Sequence, residues 1–333
     1  MTNPAQSHIQ PTTSALTLAD HWDHLLARFG INRMGHRVEP GLYALGKPSA
    51  DSPVLVTANY TLSFDALRSA LEGIDGYILV LDTKGINVWC AAGKGTFGAD
   101  EVVRRVEATA LQDVVSHRTL ILPQLGAPGV AAHEVKGRCG FRVKYGPVLA
   151  ADLPEYLKTK KAAPDMRRVR FGLLDRITLV PVDVVYNLRY MVIGALVMFL
   201  LGGLLASAAA VAAILAGAAL FPMLLPWIPT RSFSSKGFIL GGAVALPFAL
   251  AAFLGNPDAA WWLRAGQSLT FLLFMPPATA FLALNFTGAS TFTSRSGVRR
   301  EMFSYIPVMA WTFGSGLVLT LALFLIRVIG GVS

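Results

Sequence analysis

Charged residues all but vanish after Tyr190. Up to that point Lys, Arg, Asp and Glu occur at ordinary density; from Met191 onward long runs of Ala, Leu, Val, Phe and Gly take over. In a chain of 333 residues that is 53% hydrophobic, this asymmetry excludes a single water-soluble globule. A water-soluble half followed by a membrane half is the reading that satisfies it.

A helix needs only about 20 apolar residues to cross a bilayer. The run 191–228 is too long for one crossing, so it is expected to be two helices turning within 202–210. Further spans are expected at 238–254, at 268–286 with a kink at Pro276 and Pro277, and at 305–326, making five. The span interiors hold few ionisable groups, which favours an anchor and docking surface over a transporter. Gln267, Thr279 and Asn285 are read as helix-packing groups.

The formal net charge is +9. Much of the excess precedes the first apolar run, in Lys158, Lys160, Lys161, Arg167, Arg168, Arg170, Arg176 and Arg189. A basic segment beside a span favours the anionic cytoplasmic leaflet. Arg231 and Lys236, then Arg295, Arg299 and Arg300, fall on the same side if there are five spans. The expectation is a multi-pass protein of the cytoplasmic membrane, its N-terminal domain in the cytoplasm, its partner the lipid bilayer and not nucleic acid. Its segments are a tail and short helix (1–34), a ligand-binding domain (35–160), a basic linker (161–189) and a transmembrane domain (190–330). Met1 and the polar residues up to Ala19 lack an apolar core, so neither a secretory signal nor ordered structure is expected there.

Between 52 and 158 the pattern alternates. Strands are expected at 53–57, 77–81, 119–122 and 141–145, and helices at 63–72 (capped by Ser63), 99–111 and 152–158. This indicates an α/β domain with a mainly parallel, doubly wound sheet. Ligands of such sheets bind at the carboxyl ends of the strands. Four loops there are unusual: Thr57 to Tyr60, Thr83 to Lys94, Pro123 to Gly129, and Tyr145-Gly146-Pro147. Small residues let a large flat ligand approach the backbone. Amides and hydroxyls such as Thr57, Asn59, Asn87 and Gln124 offer hydrogen bonds, although Gly and Pro are also ordinary turn residues. The candidate ligand-contact residues are Thr57, Asn59, Asn87, Val88, Trp89, Cys90, Ala91, Ala92, Gly93, Lys94, Gln124, Leu125, Gly126, Ala127, Tyr145, Gly146 and Pro147.

Gly93-Lys94-Gly95-Thr96-Phe97-Gly98 spells GxGxxG, but it does not directly follow the first strand and no acidic residue sits at the dinucleotide spacing. A Walker A reading fails because position 88 is Val. The cysteines Cys90 and Cys139 form no CxxC, which excludes an iron–sulfur cluster or zinc site built from them. Cys139, beside Gly140, reads as structural and in a turn. Cys90 has two readings, a thiolate ligand or nucleophile near Lys94, or an inert buried thiol. His21 and His24 form HxxH without a third ligand nearby, so they are read as solvated or packing groups, and His117 and His133 are candidate bases without a placed nucleophile.

The run Asn87-Val88-Trp89-Cys90-Ala91-Ala92-Gly93-Lys94, with Val38 to Tyr43, Pro53 to Tyr60 and Pro123 to Val130, resembles the HgcA family of membrane-anchored corrinoid proteins in microbial mercury methylation. The same flanks are similar to the corrinoid iron–sulfur protein of the acetyl-CoA pathway. The resemblance implies a Rossmann-like corrinoid-binding domain with a cap helix, followed by an all-α transmembrane domain of five helices. It implies a cobalamin-type corrinoid whose cobalt takes Cys90 as lower axial ligand, making Cys90 the catalytic and metal-binding residue. The activity implied is methyl transfer from methyl-cobalt(III) to Hg(II), as carbanion or radical, giving methylmercury. The implied partners are a small ferredoxin with two [4Fe–4S] clusters as electron donor, a methyl-tetrahydrofolate-type methyl donor and Hg(II) as substrate. The alternative is a membrane-anchored corrinoid methyl carrier of one-carbon metabolism with another acceptor.

Overall fold

The computed structural model describes residues 9–290 and 294–330. The chain divides into two compact units, Met1–Arg170 and Phe171–Ser333.

The first unit is built on a six-stranded mixed sheet: β1 (Ile9–Thr12), β2 (Gly41–Leu45), β3 (Val54–Ala58), β4 (Gly76–Leu81), β5 (Thr119–Leu122) and β6 (Arg142–Tyr145). Their order is β1-β2-β4-β3-β5-β6. Only β2 and β4 pair antiparallel; every other neighbouring pair is parallel. The helices are α1 (Leu18–Arg28), α2 (Thr61–Ala70), α3 (Val88–Lys94), α4 (Ala99–Ala108), α5 (Leu111–Val114), α6 (Ala132–Cys139) and α7 (Leu153–Thr159).

Strands β3 and β4 are buried along their whole length, so both read as unbroken apolar runs. Successive side chains serve opposite faces. Val54, Val56, Leu79 and Leu81 pack with Val102, Val103 and Val106 of α4 and Val135 of α6. Leu55, Ile78 and Val80 pack with Phe64 and Leu67 of α2 and Tyr156 and Leu157 of α7. The connection from β4 to β5 passes back over β3. The order therefore reverses between β3 and β5, where open sheets place a ligand crevice.

Several expectations need correcting. The segment before Ala19 is ordered from Ile9: β1 pairs with β2, and Thr17 and Asp20 form a capping box that starts α1. A four-residue edge strand containing Pro11 carries no alternation, which hid it. Helix α2 begins at Thr61 after Tyr60, without a side-chain cap, so Ser63 lies in its first turn instead of capping it. Helix α4 stops at Ala108, because the chain turns at Ala110 (φ 44) into α5. Cys139 ends helix α6, with Gly140 beyond it in the left-handed conformation (φ 78).

The second unit is helical: α8 (Leu173–Ile177), α9 (Val180–Leu215), a π-helical stretch (Ala216–Leu220), α10 (Phe221–Leu224), α11 (Phe233–Leu254), α12 (Trp261–Asn285) and α13 (Arg295–Gly330). Among the described residues, four helical stretches are long and apolar enough to cross a membrane: Leu173–Leu224, Phe233–Leu254, Trp261–Ala289 and Ser296–Ile326. They mark a multi-pass membrane protein. The first leaves helical geometry at Gly203 (φ 72, ψ −161), inside the expected turn. Helix α12 is continuous through Pro276 and Pro277. Helices α11 and α12 approach closely at Gly237 and Gly241, where a Cβ would stand 2.5 Å from Ala280 Cα and 2.7 Å from Pro276 Cα. Two buried polar groups of this unit bond the backbone: Lys236 Nζ donates to the carbonyls of Leu225 (2.7 Å) and Ile228 (2.6 Å), and Thr279 Oγ1 to Ala213 O (3.0 Å).

Candidate functional site: the carboxyl ends of β3 to β6

Asn59 organises the end of β3. It is 2% exposed. Its Oδ1 accepts from Thr83 N (3.0 Å), Thr83 Oγ1 (2.9 Å) and Gly85 N (3.0 Å), fastening the loop after β4 to the neighbouring strand end. Thr57, two residues earlier in β3, is also buried. Glu101 of α4 holds the same loop from below, accepting from Asp82 N at 2.8 Å while Arg104 and Arg105 bind its carboxylate. Burial pushes the Asp82 carboxyl up, but the Lys84 ammonium and backbone N–H outweigh it and hold Asp82 below the usual carboxylate value.

This fixed loop launches α3. Asn87 is its N-cap, with Oδ1 accepting from Cys90 N at 2.9 Å. Val88, Ala91 and Ala92 are buried and join the core. Asn87 and Lys94 are exposed, and Trp89 and Cys90 are half-buried. Asn87, Cys90 and Lys94 follow one another at helical spacing, so they share the open side of α3. Gly95 ends the helix in the left-handed conformation (φ 85).

The turn after β5 packs against α3. A Cβ at Gly129 would stand 2.2 Å from Phe97 O and 2.9 Å from Ala92 Cα; at Gly126 it would meet the Phe97 ring at 2.6 Å. These small residues serve chain-to-chain packing. Gln124 and Leu125 are half-buried; Gln124 N donates to Pro147 O (3.2 Å) and its Oε1 accepts from Arg167 (2.9 Å). Ala127 caps the short turn Gln124–Gly126. At the end of β6, Tyr145 OH donates to Val130 O, and Gly146 N to Leu122 O at 2.8 Å. Burial pushes the Tyr145 phenol up. Gly146 and Pro147 are buried.

The candidate residues therefore gather on one edge of the sheet, but with different employment. Asn59, Gly126, Tyr145 and Gly146 are engaged inside the protein, whereas Asn87, Trp89, Cys90, Gly93 and Lys94 keep an open side. Thr83, Glu101 and Thr96 were not singled out from the sequence; Thr96 Oγ1 is buried without a partner. The bonds of Thr83 to Asn59 and of Glu101 to Asp82 join positions far apart in the chain, which no local pattern reveals. Among the described residues, no group of three or more His, Cys, Asp or Glu could hold a metal ion. His24 bonds Asp65 (2.7 Å), His117 Nε2 lies 2.8 Å from Ser52 O, and His133 is exposed on α6. Cys90 and Cys139 are both free thiols.

A sheet domain with a loop-built edge, joined to several membrane helices, is the class of protein so defined. Its first unit is similar to known proteins. The family described as "CO dehydrogenase/acetyl-CoA synthase delta subunit" matches residues 29–157. The acetyl-CoA decarbonylase/synthase complex subunit gamma of Methanopyrus kandleri is 38% identical over 128 residues, 38% of this chain and 27% of that protein. The subunit of the same name from Archaeoglobus fulgidus is 35% identical over 124 residues, 37% of this chain and 26% of that protein. The chain spans about a quarter of the length of the curated relatives it matches.

These matches overturn the expected mercury methyltransferase, and with it methylmercury as product, Hg(II) as substrate, the ferredoxin as electron donor and methyl-tetrahydrofolate as methyl donor. The narrower resemblance rested on the run around Cys90 with its flanking segments and on the apolar half of the chain. The matches extend over residues 29–157, which hold β2 to β6, and point to acetyl-CoA decarbonylase/synthase subunits.

Proposed function

We propose that the first unit is a Rossmann-like corrinoid-binding domain of one-carbon metabolism, carrying methyl groups as part of a complex of the acetyl-CoA decarbonylase/synthase kind. The observation that carries this is coincidence of position: the matched segment 29–157 holds β2 to β6 and every loop of the candidate edge. The membrane unit anchors this carrier, its five spans counted by dividing the first stretch at Gly203. The basic residues between Lys158 and Arg189 favour the cytoplasmic face for the sheet unit.

The residues present fit such a group. The half-buried thiol of Cys90 is a soft donor on the open side of α3, and the orphaned Thr96 Oγ1 lies in the loop that follows α3. When bound, a corrinoid supplies a cobalt centre able to accept a methyl group and hand it on. The chain's own part is to hold and orient. Asn59 and Glu101 fix the loop after β4, Asn87 sets the pitch of α3, and the contact of Gly126 and Gly129 with Phe97 and Ala92 keeps the turn after β5 against that helix. Cys90 is thereby presented from a rigid element.

The test is the anaerobic visible spectrum of the full-length purified chain mixed with a corrinoid, for wild type and Cys90→Ala. The expected result is co-purifying corrinoid whose cobalt bands shift when Cys90 is removed. Binding without any shift would end the ligand role of Cys90, and no binding at all would end the corrinoid reading.

A further inference from the structure

Helix α1 is mounted with its polar side inward. His24 Nε2 meets the buried Asp65 carboxylate of α2 at 2.7 Å. Arg68, also on α2, donates to Asp65 (2.6 Å), to Asp20 (2.8 Å) and to the carbonyls of Thr13 (2.9 Å) and Ala15 (2.7 Å). Asp23 bonds the buried His36 at 2.7 Å. Both acidic groups of the helix are thus engaged with partners. The apolar residues point the other way: Leu18 is 88% exposed, Trp22 62%, Leu25 43% and Phe29 39%. Their spacing of four, three and four places them on one face. Ile31 and Met34, exposed in the following turn, extend it.

A soluble domain does not keep a periodic apolar stripe in water without a use for it. The exposed ionisable residues from Leu18 to Arg37 are His21, Arg28, Arg33 and Arg37, with no exposed acid among them. A Trp-bearing apolar face rimmed by arginine is the composition of a helix that lies in the headgroup layer of an anionic bilayer. The chain's own spans keep that layer at high local concentration, so a short stripe suffices.

We propose that the outer face of α1 binds the headgroup region of an anionic membrane, giving the sheet unit a second, reversible attachment to the bilayer besides its covalent link to the spans. No residue of α1 belongs to the candidate edge, so this attachment stands or falls independently of corrinoid binding.

The experiment uses the full-length chain in nanodiscs of phosphatidylcholine with phosphatidylglycerol. Emission of Trp22 is isolated as the difference between wild type and Trp22→Phe. The expected result is strong quenching by lipids brominated in the acyl chain, with several-fold protection from acrylamide relative to detergent micelles. Arg28→Glu is expected to reverse both, as is replacing phosphatidylglycerol with phosphatidylcholine. A Trp22 signal that acrylamide quenches freely and bromolipid leaves untouched would overturn the proposal. So would protection from both quenchers, which would mean that a second copy or another protein covers the stripe. Indifference to Arg28→Glu and to lipid charge would overturn the anionic requirement.

Discussion

Asn59 joins two strand ends through one oxygen. Asn59→Ala takes the acceptor from the Gly85 amide and cuts the bonds that tie Thr83 to the end of β3, although Thr83 keeps Ile86 O for its hydroxyl (2.6 Å) and Leu81 O for its amide (3.1 Å), at a cost of about 1–3 kcal/mol. Amide exchange at Gly85 should accelerate in proportion, while exchange in α6 stays unchanged. A uniform acceleration would show that Asn59 supports the whole unit instead of this loop. The sequence marked Asn59 as a ligand contact because it ends a strand; its pairing with a loop some two dozen residues away has no local signature. Cys90 was legible as an unusual residue on sequence grounds alone. That it shares the open side of α3 with Asn87 and Lys94 needed the helix, and seven residues are too few to show a period.

Among the elements, α3 and the turn after β5 form one packed piece. Gly129→Ala places a methyl against backbone atoms that cannot step aside, costing about 1–3 kcal/mol. It should loosen α3 in amide exchange and weaken corrinoid binding. Gly137→Ala is the contrast: nothing lies within 4 Å of its Cβ, inside α6. It should stabilise that helix by about 0.5–1 kcal/mol, read as slower exchange there. Helix α1 has an acid limit. Burial raises the Asp20 carboxyl, but Thr17 and the Arg68 guanidinium overcome this and hold it below its ordinary 3.8. A depressed carboxylate contributes stability in full above the ordinary value and loses it as the pH falls through the lower folded one. Exchange in α1 should therefore quicken selectively below pH 3.8; equal quickening across the sheet would contradict this. The central strands were readable because burial on both faces makes them apolar throughout. The edge strand β1 and its neighbour β2 were not: β1 is four residues holding Pro11, and its pairing is made by the backbone and asks little of the side chains.

Over the whole molecule, the break in charge at Met191 was the most legible feature, because a bilayer imposes its demand on every residue of a span. The way the spans pack was not legible, since lipid and protein are equally apolar neighbours. Gly237 and Gly241 carry that information. Gly241→Leu drives a side chain toward Pro276 Cα. It should lower the thermal stability of the membrane unit in detergent while the sheet unit still binds corrinoid, and joint loss of both would show that the two units do not hold their folds separately.

Among the described residues, every strand of the sheet lies between Ile9 and Tyr145, and every helix long and apolar enough to cross a membrane comes after it. On the ribosome this order becomes a schedule. At roughly 5–20 residues per second, the second unit takes on the order of ten to thirty seconds to synthesise, whereas mixed α/β domains fold in well under that time. The sheet can close before the helices that follow it are complete, so the first unit is finished while the second is still being made.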